Sequence, residues 1–263
     1  MIRDIREISD IALEVGRLIL QSGGTTNRCE KMMTSVCRVY GFPNTQSFVT
    51  PTGIFISVID ADLNISTQIK RIEGRYIDLG KISLVNELVN KLEKSHCQED
   101  PSSCLKPADF MKRLQDIDNY RPYPEWVRTL CGGGTSGFFC LLFGGSWLEF
   151  IVAFFVGILV SFTMRLISLL KMNNFLINAL GAAMVVTFAK LLDIWVPFIK
   201  LDNIIIGGIM LLVPGLSMTN AIRDTMSGDL VSGTARAVEA LMISVGIAAG
   251  SGSMLKIWSL LGY

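Results

Sequence analysis

The residue types that can bind a small polar solute are concentrated in one stretch, residues 214–239, which has an apolar run on either side. Guanidinium groups bind carboxylates, hydroxyl and amide groups form hydrogen bonds, and carboxylates accept an amino group or a proton. Charged side chains at membrane depth cost several kcal/mol unless they pair or are hydrated, so they are functional candidates by default. The candidates here are Pro214, Gly215, Ser217, Thr219, Asn220, Arg223, Asp224, Asp229, Arg236 and Glu239.

A helix break opens this stretch. Proline removes a backbone donor and the adjacent glycine lets the chain change direction, so Val213-Pro214-Gly215 predicts an interrupted helix. In hydrocarbon, such a break survives only where the freed backbone groups face protein or water. The break and the charges after it therefore predict a path for a polar solute. The alternative is a tolerated kink that leads into an ordinary charged cytoplasmic loop.

Charge divides the chain into two parts. Residues 1–127 contain 16 Lys/Arg and 17 Asp/Glu, whereas residues 128–263 contain 8 and 6. Half of all residues are hydrophobic, the mean hydropathy is +0.46, and a net charge of +1 gives no reason to expect a nucleic-acid partner. The sequence thus predicts a small cytoplasmic α+β domain over 1–127 and a transmembrane helical domain over 128–263. We expect no signal peptide, because the first residues already form a charged amphipathic pattern.

Helix and strand signals alternate in the first domain. Apolar residues at helical spacing over 8–19 predict an amphipathic helix that ends at the two glycines 23–24. Thr25, Thr26 or Asn27 can cap the next helix. Short β-rich runs at 48–49, 54–59 and 65–72 predict strands, and amphipathic patterns at 84–92 and 108–120 predict two further helices.

The spacing of potential ligands does not predict a metal site. No CxxC occurs among the six cysteines, and His96, the only histidine, lies in a polar loop, so we expect cytosolic free thiols rather than zinc. Residues 60–64 resemble the start of an EF-hand loop, but Ile65 replaces its required glycine. We expect neither a metal nor another cofactor.

Five apolar segments follow, each near the ~20 residues that cross a hydrocarbon core of about 30 Å. A surplus of Lys and Arg at the ends predicted to be cytoplasmic places the N-terminus inside and the C-terminus outside. The segments lie at roughly 129–148, 150–170, 175–195, 203–222 and 230–258, so the fold class is a five-helix bundle with a broken fourth helix. Small residues that favour close helix packing are Gly132, Gly133, Gly134, Gly137, Gly246 and Gly250.

Two enzyme hypotheses fail on chemistry. Residues 134–137 match the GxSG of rhomboid intramembrane serine proteases, but that mechanism needs a histidine beside the serine, and His96 lies in the other domain. The sequence has no GxxxxGK[ST] motif, so we expect no P-loop ATPase in this chain. We therefore expect a protein that is not an enzyme and that would use an ion gradient or the gradient of its solute.

Two groups of motifs remain. The N-terminal group is GRLILQSGGTTNRCE at 16–30 and FVTPTGI at 48–54; the second group is PG at 214–215, TNAIRD at 219–224, SGD at 227–229 and SGTARAVEA at 232–240. Together they resemble the N-terminal module and the membrane signature of the threonine/serine exporter family over about residues 10–250. The resemblance implies a cytoplasmic domain before the membrane helices and export of small amino acids or small carboxylates.

This resemblance implies roles for the polar stretch. Arg223 or Arg236 would hold the carboxylate of the solute. Arg236 and Glu239 are three residues apart, so they can instead pair with each other on a helix. The other candidates divide into Ser217, Thr219 and Asn220 for the polar tail of the solute, and Asp224, Asp229 and Glu239 for an amino group or a coupling proton.

The resemblance also implies partners. Some members carry a second membrane half in the same chain, and others place it on a separate, smaller protein. Because this chain ends after five predicted spans, we expect the larger half of a split secondary-type exporter of threonine and serine in a bacterial plasma membrane. Its partners would be the smaller membrane-half subunit, the bilayer and a small polar solute, in a homo- or hetero-oligomer. The alternatives are an exporter of small dicarboxylates such as succinate, and a membrane-anchored ligand sensor or regulatory subunit.

Overall fold

The computed structural model describes residues 4–95, 105–121, 123–169, 172–196 and 199–262. The chain divides into two compact units. The first contains Met1–Tyr120 together with Leu216–Ala237, and the second contains Arg121–Gly215 together with Val238–Tyr263. The segment Leu216–Ala237, which we expected in the membrane domain, therefore groups with the N-terminal residues. Three predicted loop residues, His96, Cys97 and Cys104, lie outside the described residues.

The first unit is built from helices around a small sheet. Ile8, Leu18 and Ile19 of its first helix are fully buried, as the amphipathic pattern predicts. Thr25 caps the second helix by accepting a hydrogen bond from the backbone N–H of Arg28. The elements are α1 (Ile5–Gln21), α2 (Thr26–Val39), β1 (Asn44–Thr50), β2 (Gly53–Ile59), β3 (Ile65–Arg71), α3 (Leu79–Lys94), α4 (Pro107–Asn119) and α9 (Gly215–Met226).

The three strands form an antiparallel sheet in the order β1-β2-β3, so the predicted strands are confirmed. Val49, Ile54 and Ile56 point into the core with α1 and α2, while alternate residues face outward, as the period of two requires. The loop between β2 and β3 closes on Asp60, whose carboxylate accepts hydrogen bonds from the backbone N–H and side-chain amide of Asn64. The EF-hand-like residues thus act as a loop clamp.

Among the described residues, the second unit contains four helices and the larger part of a fifth. Glu149 links the start of one of them, Trp147–Ser168, to the start of another, Leu201–Ile209. This carboxylate forms a capping box with Ser146 and also accepts hydrogen bonds from the backbone N–H of Lys200 at 2.7 Å and the amide of Asn203 at 3.1 Å. The elements are α5 (Glu125–Leu142), α6 (Trp147–Ser168), α7 (Asn174–Trp195), α8 (Leu201–Ile209) and the rest of α10 (Leu230–Leu260).

Three of the described helices, α6, α7 and α10, are long and apolar enough to cross a membrane. They correspond to the predicted second, third and fifth spans. The other two predicted spans differ from our expectation. The helix α5 carries Glu125 and Arg128 in its first turns, and α8 has 9 residues, or about 14 Å against a core of about 30 Å.

Glycines allow the backbones of the second unit to approach closely. A Cβ on Gly250 would lie 1.9 Å from the carbonyl oxygen of Ala179, and one on Gly246 would lie 2.9 Å from that of Phe175. Gly133 has a similar contact with Phe154, whereas no atom lies within 4 Å of a Cβ on Gly134. The expected small-residue packing is therefore present between α7 and α10 and between α5 and α6, but Gly134 has no part in it.

Candidate functional site

The predicted helix break is present, and it redirects the chain. The helix α8 ends at Ile209, the backbone N–H of Leu212 donates to the carbonyl of Ile209, and α9 begins at Gly215. Pro214 lies between the two helices. Residues after the break group with the first unit, and α9 is a new helix rather than a continuation of α8.

The helices α9 and α10 form a tight hairpin through the turn at residues 227–229. Gly228 has a positive φ of 93°, which glycine adopts without strain. A Cβ on Gly233 would lie 2.1 Å from the hydroxyl oxygen of Thr225, so the two helices approach very closely there. We call residues 216–237 the polar hairpin. Its geometry brings residues of α9 opposite residues of α10 that are far apart in sequence.

A buried ion pair holds the polar hairpin together. The Nε atom of Arg236 lies 3.0 Å from Oδ2 of Asp224, and the side chains are 5% and 0% exposed. The Nη2 atom of Arg236 also donates to the carbonyl oxygen of Gly24 at 2.7 Å. Sequence spacing suggested Glu239 as a partner of Arg236; the structure adds Asp224, twelve positions earlier. Because Arg236 is buried with these partners, it is a poor candidate for binding the carboxylate of a solute.

The α1–α2 turn accepts hydrogen bonds from both helices of the hairpin. Asn220, which is buried, donates from Nδ2 to the carbonyl oxygen of Gly23 at 2.9 Å. Arg236 binds the next carbonyl, that of Gly24. Gly23 has a φ of 92°, a conformation that leaves its carbonyl exposed to a donor outside its own helix. This turn therefore anchors the polar hairpin to the N-terminal residues.

The N-terminus of α2 contributes two more polar side chains. The hydroxyl of Thr26 donates to Oδ2 of Asp229 at 3.0 Å. Glu30 accepts a hydrogen bond from the backbone N–H of Val49 at 2.9 Å. The hydroxyl of Ser232 donates to the carbonyl oxygen of Val49 at 3.4 Å. The structure thus brings the carboxylates of Glu30, Asp224 and Asp229 close enough to interact near the N-terminus of α2, and Arg236 pairs with Asp224.

Burial and mutual repulsion favour the neutral forms of two of these carboxyl groups. Burial raises the pKa of Asp224, although Arg236 and the nearby Thr26 oppose this shift, and Asp229 adds to it. Burial likewise raises the pKa of Glu30, against the hydrogen bond from Val49, and the charge on Asp229 raises it further. One positive charge does not balance three negative charges, so this cluster holds a proton more readily than isolated carboxylates do.

The predicted site residues do not all meet. Asn220, Asp224, Asp229 and Arg236 gather at the α1–α2 turn. Arg223 and Thr219 are exposed on α9, and Ser217 is half-buried near its start. Glu239 belongs to the second unit, and Pro214 and Gly215 form the break itself.

Sequence analysis missed the partners from the N-terminal residues. The sequence predicts that Gly23 and Gly24 end a helix and that Thr26 is one of three candidate caps for the next helix. Thr25 does act as the cap, which leaves Thr26 and Glu30 available for the hairpin. A signal did exist, because these residues lie within one of the two motif groups that carry the family resemblance.

Comparison with known protein families matches the sequence of this chain to one family. The profile of the threonine/serine exporter family (ThrE) matches residues 10–258. A probable succinate transporter subunit, YjjP, of Klebsiella aerogenes is 25% identical over 98% of this chain and 96% of its own length. Its counterpart in Escherichia coli is 24% identical over 98% and 97%. The threonine/serine exporter of Corynebacterium glutamicum is 23% identical over 97% of this chain but 52% of its own length. No solved structure matches the chain.

Proposed function

The chain belongs to the threonine/serine exporter family, and we propose that it is one subunit of a secondary-type exporter of threonine and serine in a bacterial plasma membrane. Membership of this family supports a transport protein rather than an enzyme. One observation carries the proposal: the polar hairpin, with its buried charges, lies along the chain between α8 and the apolar part of α10. Paired charges joined directly to a membrane-spanning helix are typical of a solute or proton path.

The solute would carry a carboxylate and a positively charged amino group. Arg223 is exposed on α9 and offers a planar donor for the carboxylate. Ser217 and Thr219 would interact with the polar tail, and Asp229 or Glu239 with the amino group. Asn220 is buried and already bonded to the carbonyl of Gly23, so it would position the hairpin rather than contact the solute. In this proposal Arg236 is a fixed counter-charge for Asp224, because its guanidinium is already engaged within the hairpin.

A small dicarboxylate is the second candidate solute. It is favoured by the two relatives that match along almost their entire lengths, since both are named as subunits of a succinate transporter. A dicarboxylate needs two cationic contacts, whereas an amino acid needs one cationic and one anionic contact. The polar hairpin contains two arginines and two aspartates, of which Arg236 and Asp224 pair with each other. Arg223 and Asp229 then offer one cationic and one anionic contact, which favours the amino acid.

The proposed exporter needs a second subunit. The two relatives of similar length are named as subunits, and the Corynebacterium glutamicum exporter is about twice as long as the region that this chain matches. We propose a smaller membrane protein that supplies the remaining half. Co-purification of that protein with this chain tests the proposal; recovery of a fully active exporter from this chain alone would contradict it.

The proposed orientation keeps the N-terminal unit in the cytoplasm. An odd number of crossings would then place the C-terminus outside, either the three long helices α6, α7 and α10 or five once α5 and the segment around α8 are added. A reporter that is active only in the cytoplasm should work at the N-terminus and be silent after Leu260. Activity at both ends would mean an even number of crossings.

Export itself is measured with the gene for this chain deleted and restored. Deletion should raise the intracellular pools of threonine and serine, and restoration should lower them, because export removes the solute. Proteoliposomes that contain this chain and its partner subunit should release loaded threonine. If deletion raised only the intracellular succinate pool, the exported solute would be the dicarboxylate. Normal export without this chain would instead favour the sensor or regulatory function.

Replacement of Arg223 by lysine tests the proposed carboxylate contact. Lysine keeps the charge but loses the planar fork, so we expect the apparent affinity for the exported solute to fall about tenfold, or ~1.4 kcal/mol. The measurement is the concentration dependence of export at matched protein levels. Arg128→Lys is the control, because Arg128 is exposed on α5 and pairs with Glu125. If Arg223→Lys and Arg128→Lys exported the solute with equal apparent affinity, Arg223 would not be a solute contact.

A further inference from the structure

We propose that Thr26 and Glu30 of α2 are functional residues of the exporter: with Asp224 and Asp229 they form a site that binds and releases one proton during transport. Glu30 and Thr26 are new to the site, since the solute contacts proposed above all lie on or after the helix break. The inference rests on the proposed export function, and it gives the N-terminal unit a direct part in that function.

The geometry places Thr26 at the centre of the carboxylates. Its hydroxyl donates to Asp229, and it also lies close enough to Asp224 to favour the charged form of that group. Asp224 is fully buried, and neither of its carboxylate oxygens accepts a hydrogen bond of ordinary geometry from a described residue, although Arg236 lies 3.0 Å away. A buried carboxylate with open acceptor positions is a natural place for a proton.

The charge balance points to one exchangeable proton. The charged or titratable groups that face the cluster are Glu30 and the thiol of Cys29 from α2, Asp224 from α9, Asp229 from the turn, and Arg236 from α10. With all carboxylates ionised, three negative charges face one positive charge. Transfer of a proton from hydronium to one carboxylate oxygen, with release of water, leaves a single excess negative charge. Asp229 interacts unfavourably with both Glu30 and Asp224, so this proton relieves repulsion across the contact between α2 and the hairpin.

Loss of the proton would act on the membrane helix through the chain itself. Deprotonation restores the repulsion between Glu30 on α2 and Asp229 in the hairpin, which weakens the contact that Thr26 makes between α2 and the hairpin. The hairpin includes the first residues of α10, and α10 continues without interruption from Leu230 to Leu260. A change in how the hairpin is held is therefore passed directly into an apolar helix long enough to cross the membrane.

Infrared spectroscopy of the purified full-length chain tests the proton site without any transport. The C=O stretch of protonated carboxyl groups is followed during a pH titration. In the wild type we expect a band that persists to higher pH than the band of free Asp or Glu. In Glu30→Gln the midpoint of its titration should fall by about one pH unit, because one repelling charge is gone. Glutamine can still accept the hydrogen bond from Val49, so the fold is preserved. The matched control is Glu87→Gln, an exposed residue that pairs with Lys91, and it should leave the midpoint unchanged.

The hydroxyl of Thr26 provides a second, milder variant. Thr26→Val removes the hydroxyl and should shift the infrared midpoint, whereas Thr26→Ser retains the donor and should restore it. The pH profile of export should shift in the same variants. A wild-type band that titrates as free carboxyl groups do, or a midpoint that neither Glu30→Gln nor Thr26→Val changes, would overturn the proposal. If the infrared shifts occur while no solute is exported, the proton site stands and the proposed function fails.

Discussion

Arg236→Ala should destabilise the first unit by about 3–5 kcal/mol, the usual loss when one member of a buried ion pair is removed. The variant leaves the carboxylate of Asp224 buried without a counter-charge and the carbonyl of Gly24 without its donor. Asp224 lies inside the polar hairpin, where water does not reach it, and Gly24 lies in the α1–α2 turn against which the hairpin packs. The hairpin should therefore separate from the α1–α2 turn more often.

The accessibility of Cys29 measures this opening in the full chain. Cys29 is fully buried in α2, its thiol lies against the carbonyl of Gly16, and burial raises the pKa of the thiol, so it is unreactive in the folded state. In a protein with Cys29 as its sole cysteine, thiol labelling should accelerate roughly 10²–10³-fold on Arg236→Ala. Arg223→Ala is the matched control, since Arg223 is exposed on the neighbouring helix, and it should change the opening free energy by less than about 0.5 kcal/mol.

The loss of stability caused by Arg236→Ala should depend on pH. Without Arg236, the folded-state pKa of Asp224 rises further above its unfolded value. A carboxyl group with a raised pKa destabilises the fold above that pKa, and the penalty disappears as the pH falls and the group is protonated. The defect should therefore be larger near pH 8 than near pH 5. Equal labelling rates for the alanine variants of Arg236 and Arg223 at both pH values would show that the Arg236–Asp224 pair does not stabilise the first unit.

Gly250→Ala should disrupt the second unit, although it adds one methyl group. The new Cβ would lie 1.9 Å from the backbone oxygen of Ala179, so α7 and α10 must separate because neither backbone can yield locally. Overpacking of this kind costs typically 1–3 kcal/mol, and backbone contacts fall at the upper end. We expect less protein in the membrane, earlier thermal aggregation in detergent, and a matching loss of export.

Gly252→Ala supplies the control on the same helix. No atom lies within 4 Å of a Cβ at Gly252, and alanine favours a helix by about 1 kcal/mol over glycine. This variant should be as abundant and stable as the wild type. If Gly250→Ala behaved like Gly252→Ala, the close α7–α10 contact would not exist in the membrane.

Local signals in the sequence were sufficient for most of the secondary structure. The apolar spacing in α1, the β-rich runs of the sheet and the turn at Asp60 all correspond to observed elements, because each depends on residues a few positions apart. The break at Pro214 was predicted for the same reason, since proline and glycine act on their own backbone. The chemical types of the candidate site were also evident, because an arginine or a carboxylate beside apolar runs stands out by composition alone.

The partners of those residues could be found only in the tertiary structure. Arg236 binds Asp224 and the carbonyl of Gly24, which are twelve and 212 positions away in the chain. Thr26 similarly reaches Asp229 across 203 positions. Sequence spacing ranks neighbours on one helix, such as Glu239 for Arg236, and it carries no information about which distant backbone groups are free to accept a hydrogen bond.

The tertiary structure likewise decided to which unit the polar stretch belongs. By sequence, residues 216–237 follow an apolar run and precede another, so hydropathy assigned them to the membrane domain. Buried charges and amides need partners, however, and hydrocarbon supplies none. The α1–α2 turn of the first unit provides the carbonyls of Gly23 and Gly24, and α2 provides Thr26. Hydropathy determined which helices can enter a membrane, whereas the need to satisfy buried polar groups determined where the chain between them is held.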